Sequence, residues 1–137
     1  LSRITANTDF EDKANKIMLA FSKDVESAPS GYTQMMVALG FGIGPSYEIV
    51  IVGNPEADDT KEMLSSLGKH FIPYKVVLLK HDDQETADIT RIAEYTEYHS
   101  SFDGKATAYV CLDFACKMPV TNTEEMLKLL NVSSSSN

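Results

Sequence analysis

Basic residues are scarce in this sequence. Its 137 residues hold 12 Lys and Arg against 20 Asp and Glu, a formal net charge of -8. Gripping nucleic acid takes a basic face that displaces counterions from phosphate. The few cations here are scattered along the chain. Neither nucleic acid nor a membrane is therefore an expected partner, and the acidity reads as a solvating surface. No apolar run approaches the roughly 20 residues of a membrane-spanning helix. Cysteine is limited to Cys111 and Cys116, too few for the disulfide framework of a small secreted domain. A cytoplasmic, reducing location is expected. The opening Leu1-Ser-Arg-Ile shows neither an initiator Met nor a signal-peptide pattern. The expectation is a chain that begins inside a longer one or has been processed.

Catalytic signatures are missing as well. There is no G-x-S-x-G elbow. His70, His81 and His99 lie far apart, without the i, i+4 spacing of a helical metal site, and each is expected to be solvated. Carboxylates are plentiful, but no spacing singles out an acid–base pair. No cofactor and no metal is expected. The run Gly40-Phe-Gly42-Ile-Gly44 follows a helical pattern and precedes a strand. A dinucleotide-binding loop has the opposite order, so this run reads as a flexible connection.

What is present is a clear alternation of patterns. A chain of this length buries about two-thirds of its unfolded surface and needs no staple to hold a core. Thr8-x-x-Glu11 predicts a capping box opening a helix with Phe10, Ala14, Ile17, Met18, Phe21 and Val25 on one face. Ala28-Pro29-Ser30-Gly31 breaks it, and a second helix is predicted over Tyr32 to Phe41. Tyr47 to Gly53 is a near-continuous β-branched run, the mark of a strand covered on both faces. A helix from Asp58 follows, with Met63, Leu64, Leu67 and Phe71 as its apolar side, and then a strand over Tyr74 to Leu79. Strand, helix and strand make a βαβ unit. Ile89, Ile92, Ala93 and Thr96 predict a further helix. Ala106 to Cys111 is a third strand, with a short return strand at Cys116 to Met118 and a helix capped by Asn122.

The predicted fold is α/β: an N-terminal helical hairpin, then a small three- to four-stranded, mainly parallel sheet flanked by helices. Residues 1–45 form the hairpin, 46–131 the α/β unit, and 132–137 a disordered tail. Two places carry candidate site residues. Gly53 and Asn54 follow a buried strand and precede a helix, where α/β sheets bind ligands, although Glu56, Asp58 and Asp59 oppose a phosphate there. Cys111 and Cys116 are spaced C-x4-C, which excludes a C-x-x-C redox motif. Structural thiols, a disulfide and a metal site remain open for them, in that order.

The segment Gly104 to Leu130 resembles the end of a large thioredoxin-domain-containing family, whose eukaryotic members are called spermatogenesis-associated proteins. Ala108, Tyr109, Val110, Cys111, Cys116, Pro119, Val120, Thr121, Glu125 and Leu130 carry the likeness, and Gly44 to Gly53 extends it upstream. The resemblance implies an N-terminal thioredoxin-like domain and a helical (α/α) domain similar to sugar epimerases and six-hairpin glycosidases. Both would precede Leu1, and residues 1–45 would be the end of the helical domain. No thioredoxin redox residue carries over, since that motif is absent here. The expected role is a non-catalytic C-terminal structural or docking module. Its expected partners are the upstream helical and thioredoxin-like domains, or a second copy met through the N-terminal helices. The competing expectation is one part of a sugar-processing or redox enzyme whose catalytic residues lie upstream.

Overall fold

A computed structural model of the chain describes residues 1–82 and 88–132. Four α-helices come first, α1 (Ser2–Thr5), α2 (Thr8–Ala20), α3 (Ser22–Ser27) and α4 (Thr33–Ile43), with a 3-10 turn at Pro29–Tyr32 before the last. The N-cap of α2 is Asn7, whose Oδ1 accepts from the Asp9 N–H at 2.8 Å, rather than Thr8. Asn caps at least as well as Thr, so the helix starts one residue sooner. The expected single helix to Val25 is interrupted at Phe21, where the Ser22 hydroxyl donates back to the Leu19 carbonyl. Gly40 and Gly42 lie inside α4, which ends at Ile43. The expected glycine-rich connection is thus mostly helix.

The α/β unit follows in the order β1 (Tyr47–Val52), α5 (Asp58–Lys69), β2 (Lys75–Lys80), β3 (Thr107–Leu112), β4 (Ala115–Cys116) and α6 (Thr123–Leu129). The class and the βαβ unit are as the sequence predicts. The sheet is mixed, however, not mainly parallel. Its strand order is β2-β1-β3-β4. Only β1 and β2 run parallel, while β1–β3 and β3–β4 are antiparallel. An antiparallel partner needs no long crossover helix before β3. Where Ile89, Ile92, Ala93 and Thr96 are expected to lie on a helix, the described residues hold two 3-10 turns, Asp88–Arg91 and Glu94–Thr96.

β1 sits at the centre, and its residues beyond Tyr47 are all buried. One sheet face presents Ile49, Ile51, Ala108 and Val110 to Met63 and Leu67 of α5 and to Met126 and Leu130. The Asn122 side chain accepts from the Glu125 N–H at 2.8 Å, the expected cap of α6. Phe71 does not join this core. Helix α5 stops at Lys69, Phe71 is 91% exposed, and Ile72 is buried in its place. The opposite face presents Val50, Val52 and Leu78 to Ala93, with Ile4, Ile89, Tyr95 and Tyr109 around them. Val132 packs against the first core. The rest of the expected tail, residues 133–137, lies outside the described residues. No helix among the described residues is long and apolar enough to cross a membrane.

Candidate functional site

The second residue of β1 is a glutamate in an otherwise apolar strand. Glu48 is 2% exposed, and a buried carboxylate is costly unless it is paired and hydrogen-bonded. Both of its oxygens are served. Oε1 accepts from Arg3 Nη1 at 3.1 Å and from Ser46 Oγ at 3.5 Å. Oε2 accepts from the Phe114 N–H at 2.9 Å. The second Arg3 nitrogen, Nη2, lies 3.5 Å from Asp113 Oδ1, and its guanidinium sits 4.7 Å from the Phe114 ring centroid. Helix α1, strand β1 and the β3–β4 turn are therefore tied at one point. A cavity of about 490 Å³ opens beside it, lined by Arg3, Glu11, Gly42, Ile43, Asp113 and Phe114. The paired groups hold the elements together. A Glu amid β-branched residues was a readable signal for such a partner. Nothing in the sequence marked Arg3 as that partner.

Lys80 ends β2 and is almost fully buried. Its ammonium donates to the carbonyls of Thr96, Glu97 and His99 at 2.8, 2.9 and 2.6 Å. This anchors the second 3-10 turn on the sheet. His99 is not solvated as expected. Its ring stacks on Tyr109 at 4.0 Å and meets the edge of Tyr95 at 6.1 Å. Burial, and then the Lys80 charge, hold the imidazole below its ordinary value. Burial, and then the Glu48 charge, push the Tyr95 phenol up. Among the described residues neither His99 Nδ1 nor the Tyr95 hydroxyl has a hydrogen-bond partner. Both atoms are buried although their residues are partly exposed, and neither residue lines a cavity of about 320 to 530 Å³ found elsewhere on the chain.

Gly53 and Asn54 form a tight turn. The Gly53 N–H donates to the Lys80 carbonyl, and Asn54 Oδ1 accepts from the Glu56 N–H at 2.9 Å. A side chain at Gly53 would run into Thr60 Oγ1 and the Ala106 backbone. Asp59, in the first turn of α5, accepts from the Ala106 N–H through Oδ2 at 2.7 Å. Close packing accounts for this glycine. No cavity described here reaches either residue.

Cys111 and Cys116 face each other across β3 and β4 and are joined by a disulfide. The two strands turn at Asp113 and Phe114, both with positive φ, as a type I′ two-residue hairpin requires. The structure brings these two site candidates together. It does not bring Gly53 or Asn54 to them. Among the described residues no three His, Cys, Asp or Glu side chains gather to hold a metal ion.

An exposed apolar surface lies on the helices. No residue of α1 to α4 is buried. Ile17, Leu19, Val37 and Ile43 are 55%, 74%, 56% and 78% exposed. A groove of about 450 Å³ runs between α2–α3 and α4, lined chiefly by Met18, Leu19, Val25, Met35, Met36 and Leu39. A second space of about 530 Å³ is lined by residues of α1, α2 and α4 together with Val76 of β2. A smaller one, about 320 Å³, lies by Asn7, Glu11 and Phe114.

Comparison with known proteins gives the context of this surface. The chain is 31% identical over 131 residues to spermatogenesis-associated protein 20 of Rattus norvegicus, and equally so to that of Homo sapiens. It is 25% identical over 129 residues to an uncharacterized protein of Caenorhabditis elegans. The match covers 96% of this chain but 16% of the rat and human proteins. The chain is thus homologous to one segment of a much larger protein, and spans 16% of the length of those relatives. No family model matches the chain. No solved structure matches it.

Proposed function

We propose that this chain is a non-catalytic docking module, and that its helical hairpin seats against the remainder of a larger polypeptide. One observation carries this reading: the sheet has a core on each face, to which helices α1 to α4 add only Ile4 at the edge, and no residue of these four helices is itself buried. Fully burying a Leu, Val, Ile or Met side chain is worth about 1.5–3 kcal/mol. Helices below about 12–15 residues are marginal in water without such packing, and α2 and α4 have 13 and 11 residues. The rest of the polypeptide is the favoured occupant because the match covers only 16% of the relatives' length. Placement at the C-terminal end, beside a helical domain of a thioredoxin-domain-containing protein, follows from the resemblance of the Gly104 to Leu130 segment.

Amide hydrogen exchange tests the reading. Met18, Leu19, Met35 and Met36 should be strongly protected in the full-length polypeptide and fast in the isolated 137-residue chain. Equal exchange in both rejects the docking role. Protection in the isolated chain that disappears on dilution assigns the groove to a second copy instead.

A further inference from the structure

We infer that Cys111 and Cys116 are a reversible thiol–disulfide couple, open to a small thiol through Cys116 and cycling without loss of the fold. The first support is asymmetric access. Cys111 is 3% exposed on β3, whereas both residues of β4, including Cys116, are exposed. Thiol–disulfide exchange needs an accessible sulfur, and only one of the two residues is presented to solvent.

The second support is that other bonds bracket the sulfurs. On the turn side, the Asp113 N–H donates to the Ser46 carbonyl, and Asp113 Oδ1 accepts from the Ser46 N–H. The Phe114 N–H donates to Glu48. On the far side, the Lys117 N–H donates to the Val110 carbonyl, and Ala108 and Val120 exchange both of their backbone bonds. None of these contacts depends on sulfur. They hold the thiols of the reduced chain opposite each other, in register for closure. The two residues are 5 apart in sequence, so reduction frees only a short loop.

The exchange proceeds in two balanced steps. A thiolate RS⁻ attacks Cys116 Sγ. An RS–S bond forms, the Cys116–Cys111 bond breaks, and its electron pair leaves on Cys111 Sγ, which takes a proton from water. A second RS⁻ attacks the external sulfur of the mixed disulfide, releasing RSSR and the Cys116 thiolate, which is protonated in turn. The net change is two RSH oxidised to RSSR and one protein disulfide reduced to two thiols. Arrest after the first step leaves Cys116 modified by the small thiol.

Glutathione is the probe. Mixtures of its reduced and oxidised forms should interconvert the disulfide and dithiol masses of the chain, with β1 and β3 amides protected throughout. In the reduced chain, brief alkylation should label Cys116 about tenfold or more faster than Cys111, as the difference in exposure requires. Cys111→Ser should then trap one glutathione on Cys116, and Cys116→Ser should trap far less. Equal labelling of the two thiols in the reduced, folded chain overturns the inference. So does loss of β1 and β3 protection on reduction, or a disulfide that glutathione leaves intact. Because the alkylation and exchange readouts use the unmodified sequence, a single-cysteine variant that fails to fold does not rescue the idea.

Discussion

The Tyr74 ring lies across Gly40, close enough that a side chain on Gly40 would collide with the Tyr74 hydroxyl and ring. Phe41 meets the same ring edge-on at 5.9 Å. Tyr74 itself has φ 56, a conformation uncommon for a bulky residue. This contact seats α4 at the start of β2.

Gly40 and Gly42 should respond oppositely to alanine. Within a helix, Gly to Ala ordinarily stabilises by about 1 kcal/mol. Gly42 has open space where a Cβ would sit, so Gly42→Ala should raise the urea midpoint. Gly40→Ala must displace the Tyr74 ring, and overpacking costs about 1–3 kcal/mol. Its midpoint should fall. A rise in both variants would mean that Tyr74 does not hold α4.

Arg3→Ala strands a carboxylate that is 2% exposed. Removing one partner of a buried ion pair costs about 3–5 kcal/mol. The lower end is expected here, since Ser46 and Phe114 still donate to Glu48. The double variant with Glu48→Met should recover part of the loss. A denaturation cycle that finds the two changes strictly additive would remove the coupling.

Asp59 ties the first turn of α5 to β3 through the Ala106 N–H. Ala106 is 2% exposed, and an orphaned buried donor costs about 1–3 kcal/mol. Asp59→Ala should lose that much in urea unfolding. Asp59→Asn keeps an acceptor and should lose less. Similar losses in the two would show that the hydrogen bond contributes little.

The pH profile should carry the mark of His99. Its imidazole is held below the ordinary value, so the folded chain favours the neutral ring. The associated stability is complete above about pH 6.5. It is lost as pH falls from there through the folded value, because the unfolded chain then binds the extra proton. His99→Phe keeps the stack on Tyr109 and should flatten the decline between pH 7 and pH 5, in about the range where an unperturbed His titrates. Superimposable stability profiles for the two chains over that range would refute the assignment.

The sequence displayed what local chemistry decides. The β-branched run of β1, the βαβ order and the Asn122 cap are all readable from neighbours within a few positions. Partners chosen by the tertiary fold were not. Nothing near Thr107 states that β3 enters beside β1 rather than beside β2. Arg3 finds Glu48 from 45 residues away, and His99 is stacked by a tyrosine from another strand. Of the candidate site residues, the Cys111–Cys116 pairing was in view because a hairpin joins them. What the C-x4-C spacing left undecided was the choice among thiols, disulfide and metal.

The strand order has a consequence for synthesis. Chains emerge from the ribosome at about 5–20 residues per second. The most buried strand, β1, is paired on one edge by β2 and on the other by β3, whose last residue is Leu112. Until Leu112 has cleared the exit, one full edge of Tyr47–Val52 presents bare backbone donors and acceptors. An apolar strand in that condition is a template for the wrong partner. The nascent unit is therefore vulnerable to misassembly from the arrival of Val52 until that of Leu112, first on both edges of β1 and after Lys80 on one, and a chaperone that shields it has that window in which to act.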